Sequence, residues 1–466
     1  MKTFVFGIGG TGARVLRSLT LLLASGVECK STIVPIIIDP DLNNGDLTRT
    51  VSLLQRYKAI REALTFTNNG LNKFFGAEIL EKCNFRLPIV NSQNVTFQEF
   101  MDMDNMTTET QAMLKMLYSD KNLASDMIVG FKGNPNIGSI VLNQFVNIDE
   151  FKEIANEFSD GDRIFIISSI FGGTGASGFP LLLKTLRTND ILPNHGLINK
   201  AEIGAVTVLP YFKVSQDNES SIESDTFISK TKAALSYYDK NICREINALY
   251  YIGDNTATQK AYDNNEGGDA QRNNAHIIEM LSALAVVDFA NAQSFAGNPV
   301  YKEFGLASDE VENVIFLDFA PGTIGLIRKP MTQMMLFTHY MQKMPVKNYL
   351  SQQWSQDNGM NRNFFASDFI NNLRYLQKDY EVWLKEMESN NVGFTPFTWN
   401  NDKLFDIVNG LTPTKPLLQF MKDNYELFDL TLDKKRVSNK SESTEQKFME
   451  LFYQSTETLV HDKLNM

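Results

Sequence analysis

Residues 6–15 read FGIGGTGARV and residues 170–179 read IFGGTGASGF. Each glycine cluster follows a short apolar run and precedes a helix-like one, "ARVLRSLTLLLASG" and "FPLLLKTLR". Glycine suits the approach of an anion because it accepts positive φ and puts no β-carbon between the backbone N–H groups and the ligand. A helix that begins at once adds its unpaired N–H groups and the positive end of its dipole. The pattern therefore predicts phosphate contacts from Gly9, Gly10 and Thr11 in the first loop. In the second it predicts them from Gly172, Gly173, Thr174, Gly175, Ala176 and Ser177, with Thr174 and Ser177 offering hydroxyls. Four glycines in the seven positions GGTGASG exceed what a strand-to-helix turn requires. The first loop, Gly7-x-Gly9-x-x-Gly12, also matches the dinucleotide fingerprint, with Asp39 as the acid after the next apolar run. Taken alone, that string also fits a purely structural turn. No G-x-x-x-x-G-K-[ST] loop occurs.

Other chemistries find little support. The cysteines (Cys29, Cys83, Cys243) and histidines (His195, His276, His339, His461) are scattered, with no zinc-ligand spacing and no disulfide framework. That usage predicts a reducing, cytoplasmic setting. With a formal charge of -11, no direct binding to nucleic acid or to a membrane surface is evident, although an acidic chain does not forbid a local basic patch. No apolar run approaches the ~18–20 residues that span a bilayer. With 466 residues and 43% apolar content, two or three folded units are expected.

The loops need a frame to hold them. "KTFVFGI", "STIVPIIID", "DRIFIISS", "AEIGAVTV" and "INALYYIGDN" read as strands, and helix-like segments lie between them. This alternation predicts an α/β fold with a doubly wound, mainly parallel sheet, whose ligand loops gather at the carboxyl ends of the strands. "GFKGNPNIGS" is a loop rich in Gly, Asn and Pro that leads into a helix pattern, and "DAQRNNAHIIEMLSALAVVDFANA" reads as a long apolar helix. Beyond about residue 325 the aromatic and Met residues recur at helical spacing, which predicts core or partner-facing helices and no cofactor box.

In combination these segments resemble the tubulin/FtsZ family over roughly residues 1–325. "GGTGASG" is similar to the family's signature loop GGGTG[ST]G, with Phe171 in place of its first glycine. "FGIGGTGARV" resembles the first nucleotide loop. "IDPD" resembles the second, which implies that Asp39 and Asp41 approach the γ-phosphate and its Mg²⁺. "KGNPNIGS" resembles the γ-phosphate-sensing loop, G-A-N-P-E-I-G in FtsZ, and implies contacts from Gly133 and Asn134. "TVLPYF" is similar to the strand and loop that pass the ribose. "YYIGDN" and "RNNAHIIEMLSAL" resemble the base-contacting strand and the central helix, implying that Asn255 and Asn274 read guanine; an amide that both donates and accepts suits that task. Each asparagine by itself also reads as a cap or turn.

The resemblance implies GTP or GDP with Mg²⁺ as ligands and head-to-tail assembly of the chain with itself. It further implies a GTPase whose hydrolysis is completed by an acid from the next subunit. That acid follows the central helix in the pattern N-x-D-x-x-D. "GNPVYKEFG" matches the pattern at Asn298 and Glu303 but has Val300 in the middle. Glu303 is thus the catalytic candidate, although by itself it reads as an ordinary solvated glutamate. "VIFLDFAPGTIG" corresponds to the family's next strand. The expected division is a nucleotide-binding domain over 1–290, including the central helix, and a divergent, mostly helical C-terminal domain over 291–466. Two alternatives stay open. One is a non-polymerising, nucleotide-dependent switch or scaffold that binds protein partners through the helical part. The other is an NAD- or FAD-binding oxidoreductase, which leaves the second glycine loop and "KGNPNIGS" unexplained.

Overall fold

The computed structural model describes residues 1–41, 43–67, 70–89, 95–127, 131, 133–214, 225–254, 261–262, 268–269, 271–295, 300–303, 306, 313–399, 403–414, 424–437 and 442–466. The first strand, β1 (Lys2–Ile8), passes directly into helix α1 (Gly9–Ala24). The chain continues through β2 (Thr32–Ile38), α2 (Gly45–Glu62) and the two-residue β3 (Arg86–Leu87). After a short helix α3 (Pro135–Val141) come β4 (Arg163–Ser169), α4 (Gly173–Thr188) and β5 (Ile203–Val208). Helix α5 (Asp225–Asn241), β6 (Ala248–Ile252), α6 (Ile277–Asn291) and β7 (Val300–Glu303) complete this region.

These seven strands form one sheet in the order β3-β2-β1-β4-β5-β6-β7, with every neighbouring pair parallel. Continuous β-branched and aromatic runs produce it: all seven residues of β4 are buried, as a sheet covered on both faces requires. From β1 the chain winds outward to β2 and β3, then returns to place β4 on the opposite side of β1. The winding direction therefore reverses between β1 and β4. At such a point the connections leaving the two strands diverge and open a crevice beyond their carboxyl ends. The register keeps those ends level, since Gly7 pairs with Ile37 on one side and Ile167 on the other.

Helix α1 is buried at every residue but Gly10, and α6 at all but Asp288 and Asn291. Both lie inside the molecule; α6 is apolar nearly all round, which is stable only when so enclosed, and the two buried charges of α1, Arg14 and Arg17, are paired with carboxylates. The C-terminal helices α7 (Pro321–Lys343), α8 (Asp368–Glu388) and α9 (Thr444–Leu464) cover this side. Phe337 of α7 stacks on Phe452 of α9, ring centroids 4.5 Å apart, and on Phe74, 5.6 Å away. Trp383 of α8 donates its indole N–H to Ser18 Oγ on α1 at 3.0 Å.

Two segments differ from the sequence expectation. "VIFLDFAPGTIG" adds no strand to the main sheet: Val314, with Asn313 before it, pairs with Gly393–Phe394, and Phe319 makes an isolated bridge to Leu306. Pro321 then opens α7, because proline at a helix's first turn sacrifices no hydrogen bond and presets φ. The stretch expected as the loop after the central helix is, at Val300–Glu303, the edge strand β7. Among the described residues no helix is long and apolar enough to cross a membrane.

Candidate functional site

The two glycine loops leave adjacent strands at the point where the winding reverses. Neither α1 nor α4 has a side-chain hydrogen bond at its N-cap or an acidic residue in its first turn, so each presents its dipole end without a local counter-charge. The glycines divide into two groups by what a β-carbon would strike. At Gly12 it would stand 2.4 Å from the carbonyl carbon of Gly7, and at Gly175 2.7 Å from Ser169 O. Those two let each helix pack tightly onto the strand before it. At Gly9, where φ is +71°, the β-carbon would stand 3.3 Å from Thr174 Cβ and 3.7 Å from Gly175 N. At Gly173 it would stand 3.1 Å from the backbone nitrogens of both Gly133 and Asn134. Gly9 therefore joins the first loop to the second, and Gly173 joins the second to the turn before α3. Gly133 itself has φ +74°.

The side chains in these loops are placed unequally. Gly10, Gly172, Thr174 and Ala176 are half-buried. Thr11 is buried beside Arg14 Nη2, 3.4 Å away. Ser177 is turned into its own helix, where Oγ donates to Gly173 O at 2.7 Å; its buried hydroxyl does not reach the mouth. The tight packing of α3 on α4 accounts for this, since a β-carbon on Gly138 would lie 2.2 Å from Ser177 Oγ.

Asp39 and Asp41 follow β2, beside the first loop. Asp39 Oδ1 accepts the N–H of Asp41 at 3.0 Å. Asp41 accepts N–H groups from Asn43 at 3.1 Å and from Gly268 at 2.6 Å. Burial, together with the charges of Asp41 and Asp46, raises the Asp39 carboxyl to about 7. Among the described residues no group of three or more His, Cys, Asp or Glu side chains is arranged to hold a metal ion. Two carboxylates beside a glycine loop are a donor set that suits Mg²⁺, which takes much of its coordination from phosphate and water.

Beneath the first loop lies an ion cluster that the motifs did not reveal. Arg14 of α1 donates from Nε to Glu279 Oε1 at 2.5 Å, from Nη1 to Asp46 Oδ2 at 2.8 Å and from Nη2 to Tyr211 Oη at 2.8 Å. Tyr211 in turn donates to Glu279 at 2.7 Å. All four side chains are buried. Burial opposes the Arg14 charge, but Tyr211, Glu279 and Asp46 outweigh it and hold the guanidinium more firmly protonated than usual. Arg49 bridges Asp46 at 2.5 Å and Glu386 at 2.9 Å, and Glu386 also takes Arg17 at 2.6 Å and the N–H of Ala275 at 3.0 Å. A β-carbon on Gly10 would stand 3.5 Å from Arg14 Nη1 and 3.7 Å from Asn44 Nδ2, so the cluster supports the loop directly. The sequence did hold a signal: Arg14 and Glu279 are charges set within the apolar runs of α1 and α6, which carry only one further charge each, Arg17 and Asp288.

Of the remaining candidates, Asn274 and Glu303 stand apart from the loops. Asn274 donates to Ser389 Oγ at 3.0 Å, just beyond the end of α8. Its neighbour Asn273 is the residue that touches Asp46, its N–H 3.4 Å from Oδ2. Asn255 and Asn298 lie outside the described residues. Glu303 pairs with Tyr251 at the carboxyl end of β7. It is thus at the same end of the sheet as the glycine loops, but three strands from β4 and four from β1. At the usual ~4.8 Å between strands that is about 14 and 19 Å.

No family model matches the chain, and no curated protein does. Among solved structures it is similar to CetZ from Methanosaeta thermophila, at 15% identity over 63% of this chain and 57% of that one, with a TM-score of 0.33. It is likewise similar to CetZ2 from Haloferax volcanii in a GTPγS-bound protofilament, at 15% identity over 62% and 58% of the two chains, with a TM-score of 0.31. An FtsZ variant from M. jannaschii aligns at 17% identity over 54% of this chain and 46% of its own, with a TM-score of 0.27. The alignment thus spans less than two thirds of each of these proteins.

Proposed function

We propose that the crevice between β1 and β4 binds the phosphates of GTP, and that the chain is a self-assembling GTPase whose hydrolysis is completed at the contact between copies. The observation that carries the phosphate site is the closure of three glycine turns on one another, Gly9 against Thr174 and Gly173 against Gly133 and Asn134. Two long helices then direct their N-terminal N–H groups toward one point, and glycine backbone keeps that point open. The same strand order also houses dinucleotides, which need a single glycine turn. The second and third turns favour a triphosphate.

On this reading Asp39 and Asp41 flank the terminal phosphate, where a bound Mg²⁺ would neutralise charge developing on the phosphate oxygens. The choice of guanine rests on the resemblance at Asn255 and Asn274. Hydrolysis needs a carboxylate that polarises water, and in a shared site a second copy supplies it. For Glu303 to be that carboxylate, the contact must join the β7 edge of one copy to the glycine-loop mouth of the next. A contact of that heterologous kind propagates into a filament when it does not close into a ring.

The test is GTP, GDP, ATP and NAD binding to the full chain, followed by GTP turnover and light scattering over a protein concentration series. The proposal expects preferential GTP and GDP binding, specific activity that rises with concentration, and loss of that rise in Glu303→Ala. Binding with flat, negligible turnover would identify a switch or scaffold. Absence of guanine-nucleotide binding would remove the proposal.

A further inference from the structure

The first two glycine loops contain no lysine, the third carries Lys132, which lies outside the described residues, and Arg14 is committed beneath them to Asp46, Glu279 and Tyr211. A cation does reach the loops from another element. Lys230 of α5 is half-buried, and its Nζ donates to Gly133 O at 2.9 Å. The same Nζ would lie 3.6 Å from a β-carbon on Gly133, the residue whose N–H group sits beside Gly173. The ammonium therefore stands at the lip where the second and third glycine turns meet.

The residue that breaks the glycine signature explains how α5 comes to be there. Phe171 is buried, with its ring centroid 4.9 Å from that of Phe227, 5.5 Å from that of Phe212 and 6.2 Å from that of Tyr211. Phe227 and Lys230 are three residues apart on α5 and so share one face of the helix. Phe171 packs against that face and holds it toward the loop. A glycine at 171 would leave Phe227 without this ring.

We propose that Lys230 is a cation this site offers to the terminal phosphate of a nucleoside triphosphate, and that it sets the preference for triphosphate over diphosphate. This rests on the nucleotide reading above. Its flexible four-carbon stem lets the ammonium pass from the Gly133 carbonyl to a phosphate oxygen without movement of α5. A charge-assisted contact of this kind is about twice as strong as a neutral one.

The test is calorimetric titration of the full-length wild type, Lys230→Met and Lys230→Arg with GTP and with GDP. Lys230→Met is expected to weaken GTP binding about tenfold and to leave GDP within about twofold, while Lys230→Arg keeps the wild-type ratio. Equal weakening for both nucleotides in Lys230→Met would assign the lysine to holding Gly133 and overturn the proposal. No change for either would overturn it too. A wild type that binds neither nucleotide overturns the nucleotide reading itself, and Lys230 with it.

Discussion

Arg14 Nε and Glu279 Oε1 meet at 2.5 Å in the interior, across 265 residues of chain. The pair ties the helix of the first glycine loop to the central helix α6, and Asp46 and Tyr211 close the cluster. Removing one member of a buried ion cluster leaves the rest desolvated and unbalanced. Glu279→Gln is therefore expected to cost about 3–5 kcal/mol in urea unfolding. A cost below about 1 kcal/mol would mean that water or a rearranged neighbour replaces the carboxylate.

Gly9 and Gly196 make a matched comparison. At Gly9, Ala would carry φ +71° and press on Thr174, whereas nothing lies within 4 Å of a β-carbon on Gly196. Gly9→Ala is expected to destabilise by about 1–3 kcal/mol and to abolish nucleotide binding. Gly196→Ala is expected to leave both stability and binding within error. Unimpaired GTP binding by Gly9→Ala would exclude the first turn from the site.

His276 predicts a pH dependence. Its Nδ1 accepts the N–H of Ile278 at 3.1 Å and so caps α6, which fixes a neutral ring with its proton on Nε2, 3.8 Å from the Asp254 carboxylate. Burial first, then the Arg14 charge, pushes the imidazole down to about 3. The unfolded chain, with a histidine near 6.5, binds more protons between the two values. Stability is therefore complete above about pH 6.5 and falls as the pH drops toward 3, by up to about 1.4 kcal/mol per unit from this group. His276→Asn, which can cap without titrating, is expected to flatten that part of the profile. Urea midpoints at about pH 7 and about pH 5 would show it, and an unchanged slope would mean that His276 is not the group responsible.

Phe171→Ala removes the ring that docks α5. The expected cost is about 3–5 kcal/mol. Amide exchange along residues 227–241 should accelerate more than exchange along α1. Uniform acceleration would indicate general loosening with no special bond between Phe171 and α5.

Much of the frame was legible because buried parallel strands are continuous apolar runs, as in "RIFIISS", because the apolar residues of α1 recur at helical spacing, and because α6 is apolar nearly throughout. The loops were legible as loops. Their meeting was not, since pairing β1 with β4 is a non-local choice that no window of sequence contains. Nor could the string GGTGASG separate Gly175, which packs a helix on a strand, from Gly173, which faces a neighbouring loop. Ser177 looked like a ligand hydroxyl, but a serine inside a helix can bond back to the carbonyl four residues earlier. At Val300–Glu303 the motif outweighed local propensity: "VYKE" has the β-branched and aromatic residues of a strand and forms one. Two-residue β3 gave no periodic signal at all.

Glu386, near the end of α8, accepts Arg17 and Arg49 from the first two helices and the N–H of Ala275 ahead of α6. One carboxylate from the last third of the chain thus balances two guanidiniums of the first sixty residues. A fragment ending at residue 290 would carry both arginines without that counter-charge and leave Ser18 without the Trp383 indole. The helical part is therefore no detachable accessory. It supplies the local counter-charge for two arginines in the half that carries the glycine loops, so any partner that pulls on α8 also pulls on the charges beneath the crevice.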